Sequence, residues 1–115
     1  NRYIVGYNRP IKDVKSLINR IGAPNIQLLV DTFHMNIEEP GIAGGLMQAS
    51  GNIGDVHLAD NNRYSPGMGH FDFAEFFGAL EQTEYRGFLT VECDPLPDAI
   101  IAARQAARYL QNWLG

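Results

Sequence analysis

The sequence has a single cysteine, no long apolar run and no cluster of basic residues, and each of these shortages excludes a class of protein. Cys93 stands alone among 115 residues, so no disulfide can form within the chain, and a reducing, cytoplasmic setting is expected. No apolar run approaches the roughly 20 residues that cross a bilayer. No charged-then-apolar leader opens the chain, and we expect no membrane partner.

The charge balance is acidic, with 9 Lys and Arg residues against 13 Asp and Glu residues and a net charge of −4. The basic residues are scattered along the chain. Surfaces that bind nucleic acid usually carry clustered basic residues, so we expect no nucleic-acid partner. An enzyme that acts on a small molecule is compatible with this composition.

Short apolar runs alternate with stretches of helical periodicity, which predicts an α/β fold. The first helix is predicted from the spacing of apolar residues between Pro10, which opens it, and Gly22, which closes it. Strands that are separated by helices pair in parallel, because a crossover must return the chain to the same end of the sheet. The predicted helices after the first cover residues 44–51, 73–84 and 98–114, and the predicted strands cover 26–30, 53–56 and 88–91.

A polar side chain follows each of the three predicted strands: Asp31, His57 and Glu92. Ligands gather at the carboxyl ends of strands in parallel α/β folds. Asp, His and Glu together suit a divalent cation such as Mn²⁺, Mg²⁺, Co²⁺ or Zn²⁺. Any one of these residues alone is better explained as a polar residue at a loop edge. Three at equivalent positions predict a metal site.

Three segments carry a resemblance to a known family: VDTFHMNIEE (Val30–Glu39), HLADNNRYSPGMGHFDF (His57–Phe73) and TVECDPLPD (Thr90–Asp98). They resemble the sugar phosphate isomerase/epimerase family. That family has the xylose-isomerase-like barrel and includes ketose 3-epimerases of the tagatose and psicose type. The opening Asn1-Arg2-Tyr3 is similar to the segment just after the fifth strand of that barrel.

The resemblance implies a metal-dependent isomerase or epimerase that acts on a ketose or related sugar through an enediolate, so the expected partner is a small-molecule sugar or sugar phosphate. It assigns Asp31, His57 and Glu92 as metal ligands, with Mn²⁺ as the preferred ion, and makes Glu92 the catalytic acid/base as well. It places His34 and Arg63 on substrate oxygens near the carbonyl. The family's fourth ligand, a glutamate, would fall just before Asn1, so we expect a fragment that lacks one catalytic glutamate and is inactive alone or nearly so.

The resemblance also implies an architecture, the C-terminal half of a (βα)8 TIM barrel. A full barrel takes about 250 residues, and residues 1–115 are expected to form one partial domain with roughly strands 6–8 and helices 5–8. A half-barrel leaves two strand edges and an apolar inner face bare. Self-association into a homo-oligomer is therefore expected.

Two other functions remain open from the sequence. One is a metal-dependent phosphodiesterase of the same superfamily, similar to endonuclease IV, which the small number of histidines and the acidic balance disfavour. The other is an inactive half-barrel that only self-associates. Outside the predicted site, we expect Cys93 to be a buried thiol facing the helices and Glu38-Glu39 to be a solvated pair.

Overall fold

A computed structural model describes residues 1–7 and 10–114 of the chain. The order of elements alternates helices with strands, as the sequence predicts. The helices are α1 (Ile11–Ile21), α2 (Thr32–Glu38), α3 (Ile42–Ala49), α4 (Phe73–Gln82) and α5 (Ala99–Leu114), and the strands are β1 (Leu28–Asp31), β2 (Ile53–Leu58) and β3 (Leu89–Val91).

The three strands form one parallel sheet in the order β1-β2-β3. The predicted fold class is confirmed, since helices that link adjacent parallel strands are the repeating unit of a TIM barrel. The register pairs Asp31 with His57 across β1 and β2, and His57 with Thr90 across β2 and β3. Two of the three predicted ligands are therefore direct neighbours at the carboxyl end of the sheet.

The sequence analysis missed helix α2, which begins directly after Asp31. Four helices were predicted, and five lie within the described residues. The signal was present in the sequence, because Asp is among the strongest N-cap residues. Asp31 was interpreted only as a strand end, although its side chain also caps the helix.

Alternation along the strands divides the side chains between two faces. Val30, Val56 and Leu58 point toward the helices and are buried. The inner face, by contrast, carries Leu29 together with polar residues, so the expectation of an apolar inner face was wrong. Leu29 is 51% exposed. The other inner-face residues are Asp31, Asp55, His57, Thr90 and Glu92.

The core lies between the sheet and the helices and is rich in aromatic rings. Phe73 and Phe76 of α4 are fully buried, and Phe71 packs edge-to-face against both of them. Burying one such side chain contributes roughly 2–3 kcal/mol. Asp72 begins α4 by accepting a hydrogen bond from the Glu75 amide at 2.9 Å, which confirms the predicted start of this helix.

Three smaller expectations need correction or restriction. Glu38 is not a solvated residue, since its side chain is 4% exposed and pairs with Arg2. Glu39 accepts a hydrogen bond from the amide of Ile11 at 2.7 Å, at the start of α1. Cys93 faces α5 as expected, but it is half-buried rather than buried.

None of the helices among the described residues combines the length and apolar character that crossing a bilayer requires.

Candidate active site

Asp31 lies where β1 ends and α2 begins, and its two carboxylate oxygens have different surroundings. Oδ1 accepts hydrogen bonds from the amides of Phe33 (2.9 Å) and His34 (3.2 Å), which caps α2. Oδ2 lies 3.9 Å from Nδ1 of His57. The side chain is 7% exposed, so Asp31 is held by its own helix with one oxygen directed at the neighbouring strand.

Thr32, the next residue, fastens β1 to the end of β2. Its hydroxyl donates to the carbonyl of Ala59 at 2.6 Å and accepts from the Ala59 amide at 2.9 Å. Both bonds are buried, where an unsatisfied polar group would cost about 1–3 kcal/mol. This pair of hydrogen bonds fixes the spacing of the two strand ends that carry Asp31 and His57.

Glu92 completes a cluster with Asp31 and His57. Its Oε2 lies 3.3 Å from Nδ1 of His57, and its amide donates to the carbonyl of Leu58 at 3.1 Å, continuing the pairing of β3 with β2. One ligand atom from each of the three residues lies within 4.8 Å of the others. The three residues predicted from the strand ends are therefore brought together.

The donor set of this cluster suits a divalent cation. Two carboxylates and one imidazole are the ligands that Mn²⁺, Mg²⁺, Co²⁺ and Zn²⁺ accept, without any thiolate. Only one oxygen of Asp31 is available, because the helix cap takes the other. Three protein ligands leave coordination positions open for a substrate, as catalytic metal sites require.

Arg63 reaches the cluster from the loop after β2. Its Nη2 lies 3.4 Å from Oε2 of Glu92, and its guanidinium lies 5.1 Å from the centre of the Phe33 ring. Its backbone has a φ of 65°, a left-handed conformation that is uncommon outside glycine. The structure thus places the predicted substrate-binding arginine beside Glu92.

The loop that carries Arg63 is organised by Asp60, which the sequence analysis did not single out. Asp60 is 1% exposed, and its carboxylate accepts from the amides of Asn61, Gly67 and Phe71, each at 2.9 Å. Its carbonyl accepts from the Arg63 amide at 2.9 Å. One buried carboxylate therefore holds both ends of the loop.

His34, the second predicted substrate-binding residue, lies on the first turn of α2. Its Nδ1 is 2.8 Å from the side-chain amide nitrogen of Asn1. Burial lowers the pKa of His34 below its ordinary value, and the Asp31 carboxylate opposes this by favouring the charged ring. Burial thus favours the neutral form of His34, and the charges of Asp31, Arg63 and Glu92 also influence its pKa.

Sequence reasoning also missed Asp55. Its Oδ2 lies 3.6 Å from Nε2 of His57, on the side of the ring away from Asp31 and Glu92. The signal was available, because residues two apart on a strand share a face. His70 is exposed, lies outside this cluster and contacts Asn61.

Comparison with known proteins agrees with the fold. The family model described as the xylose isomerase-like TIM barrel matches residues 1–113. The chain belongs to this family. The resemblance predicted from the three sequence segments is therefore confirmed, and so is the expected partial barrel.

The relatives include sugar epimerases. An L-ribulose 3-epimerase of a Methylomonas species is 39% identical over 92 residues, which cover 80% of this chain and 32% of that protein. A 3-dehydro-D-guloside 4-epimerase of Escherichia coli is 36% identical over 92 residues, covering 80% and 35%. The chain thus spans about a third of the length of these relatives.

A solved structure gives the same result for the backbone. The D-allulose 3-epimerase of a Methylomonas species, in complex with D-allulose, superposes with a TM-score of 0.91 at 30% identity. The match covers 98% of this chain and 46% of that one. The described residues therefore have the arrangement of nearly half of a complete barrel of this family.

Proposed function

We propose that this chain carries the metal and proton-transfer site of a metal-dependent sugar epimerase or isomerase. The observation that supports this most is the convergence of Asp31, His57 and Glu92 at the carboxyl end of three parallel strands, with one ligand atom of each within 4.8 Å of the others. Active sites of TIM-barrel enzymes lie at that end of the sheet.

In this proposal Asp31, His57 and Glu92 hold the metal, with Mn²⁺ preferred and Mg²⁺, Co²⁺ or Zn²⁺ as alternatives. When bound, the ion supplies positive charge that stabilises the negative oxygens of an enediolate. The acidic hydrogen is the one on the carbon next to a carbonyl. The remaining chemistry belongs to the side chains of the chain itself.

In this proposal Glu92 removes that hydrogen as a proton from one face of the sugar, and epimerisation then needs a second base that delivers a proton to the opposite face. The Glu92 side chain is half exposed, so substrate can reach it, and it lies beside both His57 and Arg63. Arg63 orients the Glu92 carboxylate and a substrate oxygen with its remaining N–H groups. His34 is proposed to donate a hydrogen bond to another oxygen near the carbonyl.

The names of the two relatives support a keto sugar as the substrate class. C3 of ribulose lies beside the keto carbon C2, and C4 of a 3-dehydro sugar lies beside the keto carbon C3. In both proteins the inverted carbon thus neighbours a carbonyl. A base and a charge-stabilising site are what this shared chemistry requires. We infer the same chemistry for the protein that contains this chain.

Two further points remain part of the proposal: that the chain is a fragment of a longer enzyme, and that residues 1–115 form one partial barrel domain of it. The family's fourth ligand, a glutamate, would precede Asn1, so the second catalytic carboxylate would come from outside these residues. The endonuclease IV-like alternative has less support. Endonuclease IV binds three zinc ions and needs additional histidine ligands. Of the three histidines here, only His57 lies in the metal cluster, since His34 contacts Asn1 and His70 contacts Asn61.

Metal binding should stabilise the fold. A ligand that binds only the native state raises the unfolding free energy by about 2.7 kcal/mol at 100 times its Kd, so Mn²⁺ or Co²⁺ should raise the melting temperature. His57→Ala should abolish the rise, while His70→Ala, which removes an exposed histidine outside the cluster, should retain it. Thermal melts followed by circular dichroism would measure this. Equal shifts in the wild type and in His57→Ala would refute the site.

Self-association should accompany an incomplete barrel. Within the described residues, β1 and β3 each pair on one side only, and Phe88, next to β3, is 86% exposed. We expect the chain to form homo-oligomers, most simply a two-fold dimer. Phe88→Ser should weaken them, whereas Met47→Ser on the outer helix α3 should not. Light scattering over a concentration series would report both, and a wild-type chain that stays monomeric at high concentration would contradict the expectation.

A further inference from the structure

Asn1 holds His34 through an amide whose orientation is fixed by a second bond. Its Oδ1 accepts from the amide of Tyr3 at 2.9 Å, and its Nδ2 lies 2.8 Å from Nδ1 of His34. The polar group of the Asn1 side chain that faces His34 is therefore a donor.

This arrangement permits one neutral form of the ring. If Nδ1 of His34 carried the proton, two donors would face each other. Turning the Asn1 amide over would relieve that conflict, but it would set the amide NH2 group against the N–H of Tyr3. Both bonds are satisfied together only when Nδ1 accepts and Nε2 carries the hydrogen.

We propose that Asn1 is a positioning residue that fixes His34 in the Nε2–H tautomer, so that the ring presents a hydrogen-bond donor to a sugar oxygen. The proposal rests on the proposed function, in which His34 contacts the substrate. A neutral donor of this kind suits a carbonyl or hydroxyl oxygen. It also explains how a histidine near Asp31 and Glu92 avoids serving as an additional metal ligand through Nδ1.

His70 provides a reference inside the same chain. Asn61 has its orientation fixed in the same way, because its Oδ1 accepts from the His70 amide at 2.8 Å. Its Nδ2 lies 3.2 Å from Nε2 of His70. The same reasoning therefore assigns the opposite tautomer, Nδ1–H, to a histidine outside the site.

Long-range ¹H–¹⁵N spectra of the ¹⁵N-labelled chain without metal, at a pH where both rings are neutral, test the assignment directly. Protonated and unprotonated ring nitrogens resonate at well-separated ¹⁵N positions. We expect His34 to show a hydrogen on Nε2 and a free Nδ1, and His70 to show the reverse. A hydrogen on Nδ1 of His34 in the wild type would overturn the proposal, whatever the activity of the chain.

The Asn1→Asp variant separates positioning from general structural support. Aspartate can still accept from the Tyr3 amide, but it faces His34 with an acceptor, so the hydrogen should move to Nδ1 or the ring should become charged. The His70 signals should not change. An unchanged His34 pattern in Asn1→Asp would overturn the proposal.

A titration with D-fructose or D-tagatose in the presence of diamagnetic Mg²⁺, which leaves the NMR signals sharp, then connects the tautomer to the substrate. We expect the sugar to shift the His34 Nε2 signal in the wild type and to bind about tenfold more weakly to Asn1→Asp, because one hydrogen bond to the sugar is lost. If both tautomers are as expected but no sugar shifts the His34 signal, the proposed function fails while the positioning by Asn1 stands.

Discussion

Glu92→Gln is expected to abolish the exchange of carbon-bound hydrogen in a ketose by this chain. A single well-placed base contributes about 10²–10⁴-fold, and an amide keeps hydrogen-bonding capacity but cannot take a proton. With diamagnetic Mg²⁺ and fructose or tagatose in heavy water, the wild-type chain should exchange the hydrogen next to the carbonyl slowly. It should not invert the centre, since the carboxylate for the opposite face is expected before Asn1. Proton NMR would follow both.

The control for this experiment is Glu81→Gln, the same chemical change at an exposed position of α4. It should exchange hydrogen at the wild-type rate. Exchange that persists in Glu92→Gln would show that another group is the base. Rapid epimerisation by the wild-type chain would show that a second base lies within residues 1–115.

Asp60→Ala is expected to cause the largest loss of stability, about 3 kcal/mol. The variant leaves three backbone N–H groups without their acceptor, that of Phe71 buried and those of Asn61 and Gly67 partly buried. An unsatisfied buried group costs about 1–3 kcal/mol before the loop relaxes. Within residues 1–7 and 10–114, the buried Asp60 carboxylate is the only side-chain acceptor of these three amides. Urea unfolding, analysed by linear extrapolation, would measure the change.

Asp72→Ala is the matched control, because Asp72 is also an aspartate that accepts a backbone hydrogen bond, but at an exposed helix start. Loss of such a cap costs roughly 1 kcal/mol. If Asp60→Ala were no more destabilising than Asp72→Ala, the Asp60 carboxylate would not be what holds the loop of Arg63.

The architecture was predictable because periodicity and strand-end chemistry are local properties. The alternation of helices with strands indicated a parallel sheet, and Asp31, His57 and Glu92 were identified before their distances were known. Their assignment as metal ligands remains a proposal. The contacts that bring them together could not be predicted in this way. The hydrogen bonds of Thr32 with Ala59, for example, join residues that are 27 positions apart, and no local pattern indicates them.

The errors of the sequence analysis have two different physical origins. Glu38 and Glu39 were expected to be solvated because two adjacent acidic residues usually are, yet each has a partner more than 25 residues away. The apolar inner face was expected by analogy with closed sheets. Asp55 on β2 contradicts that expectation and was overlooked because only the strand ends were searched. Tertiary partners, which the sequence does not reveal, explain the cases of Glu38 and Glu39, whereas alternation along the strand would have placed Asp55 on the inner face.

The division of each strand into two faces has a consequence for how such a protein can change over generations. Val56 and Leu58 hold the helices, while Asp55 and His57, which alternate with them, face the other way. An inner-face substitution leaves the helix contacts of its neighbours intact. Substitutions that change substrate specificity can therefore occur there with little loss of stability. Evolution of specificity and maintenance of the scaffold thus proceed on interleaved, nearly independent sets of positions.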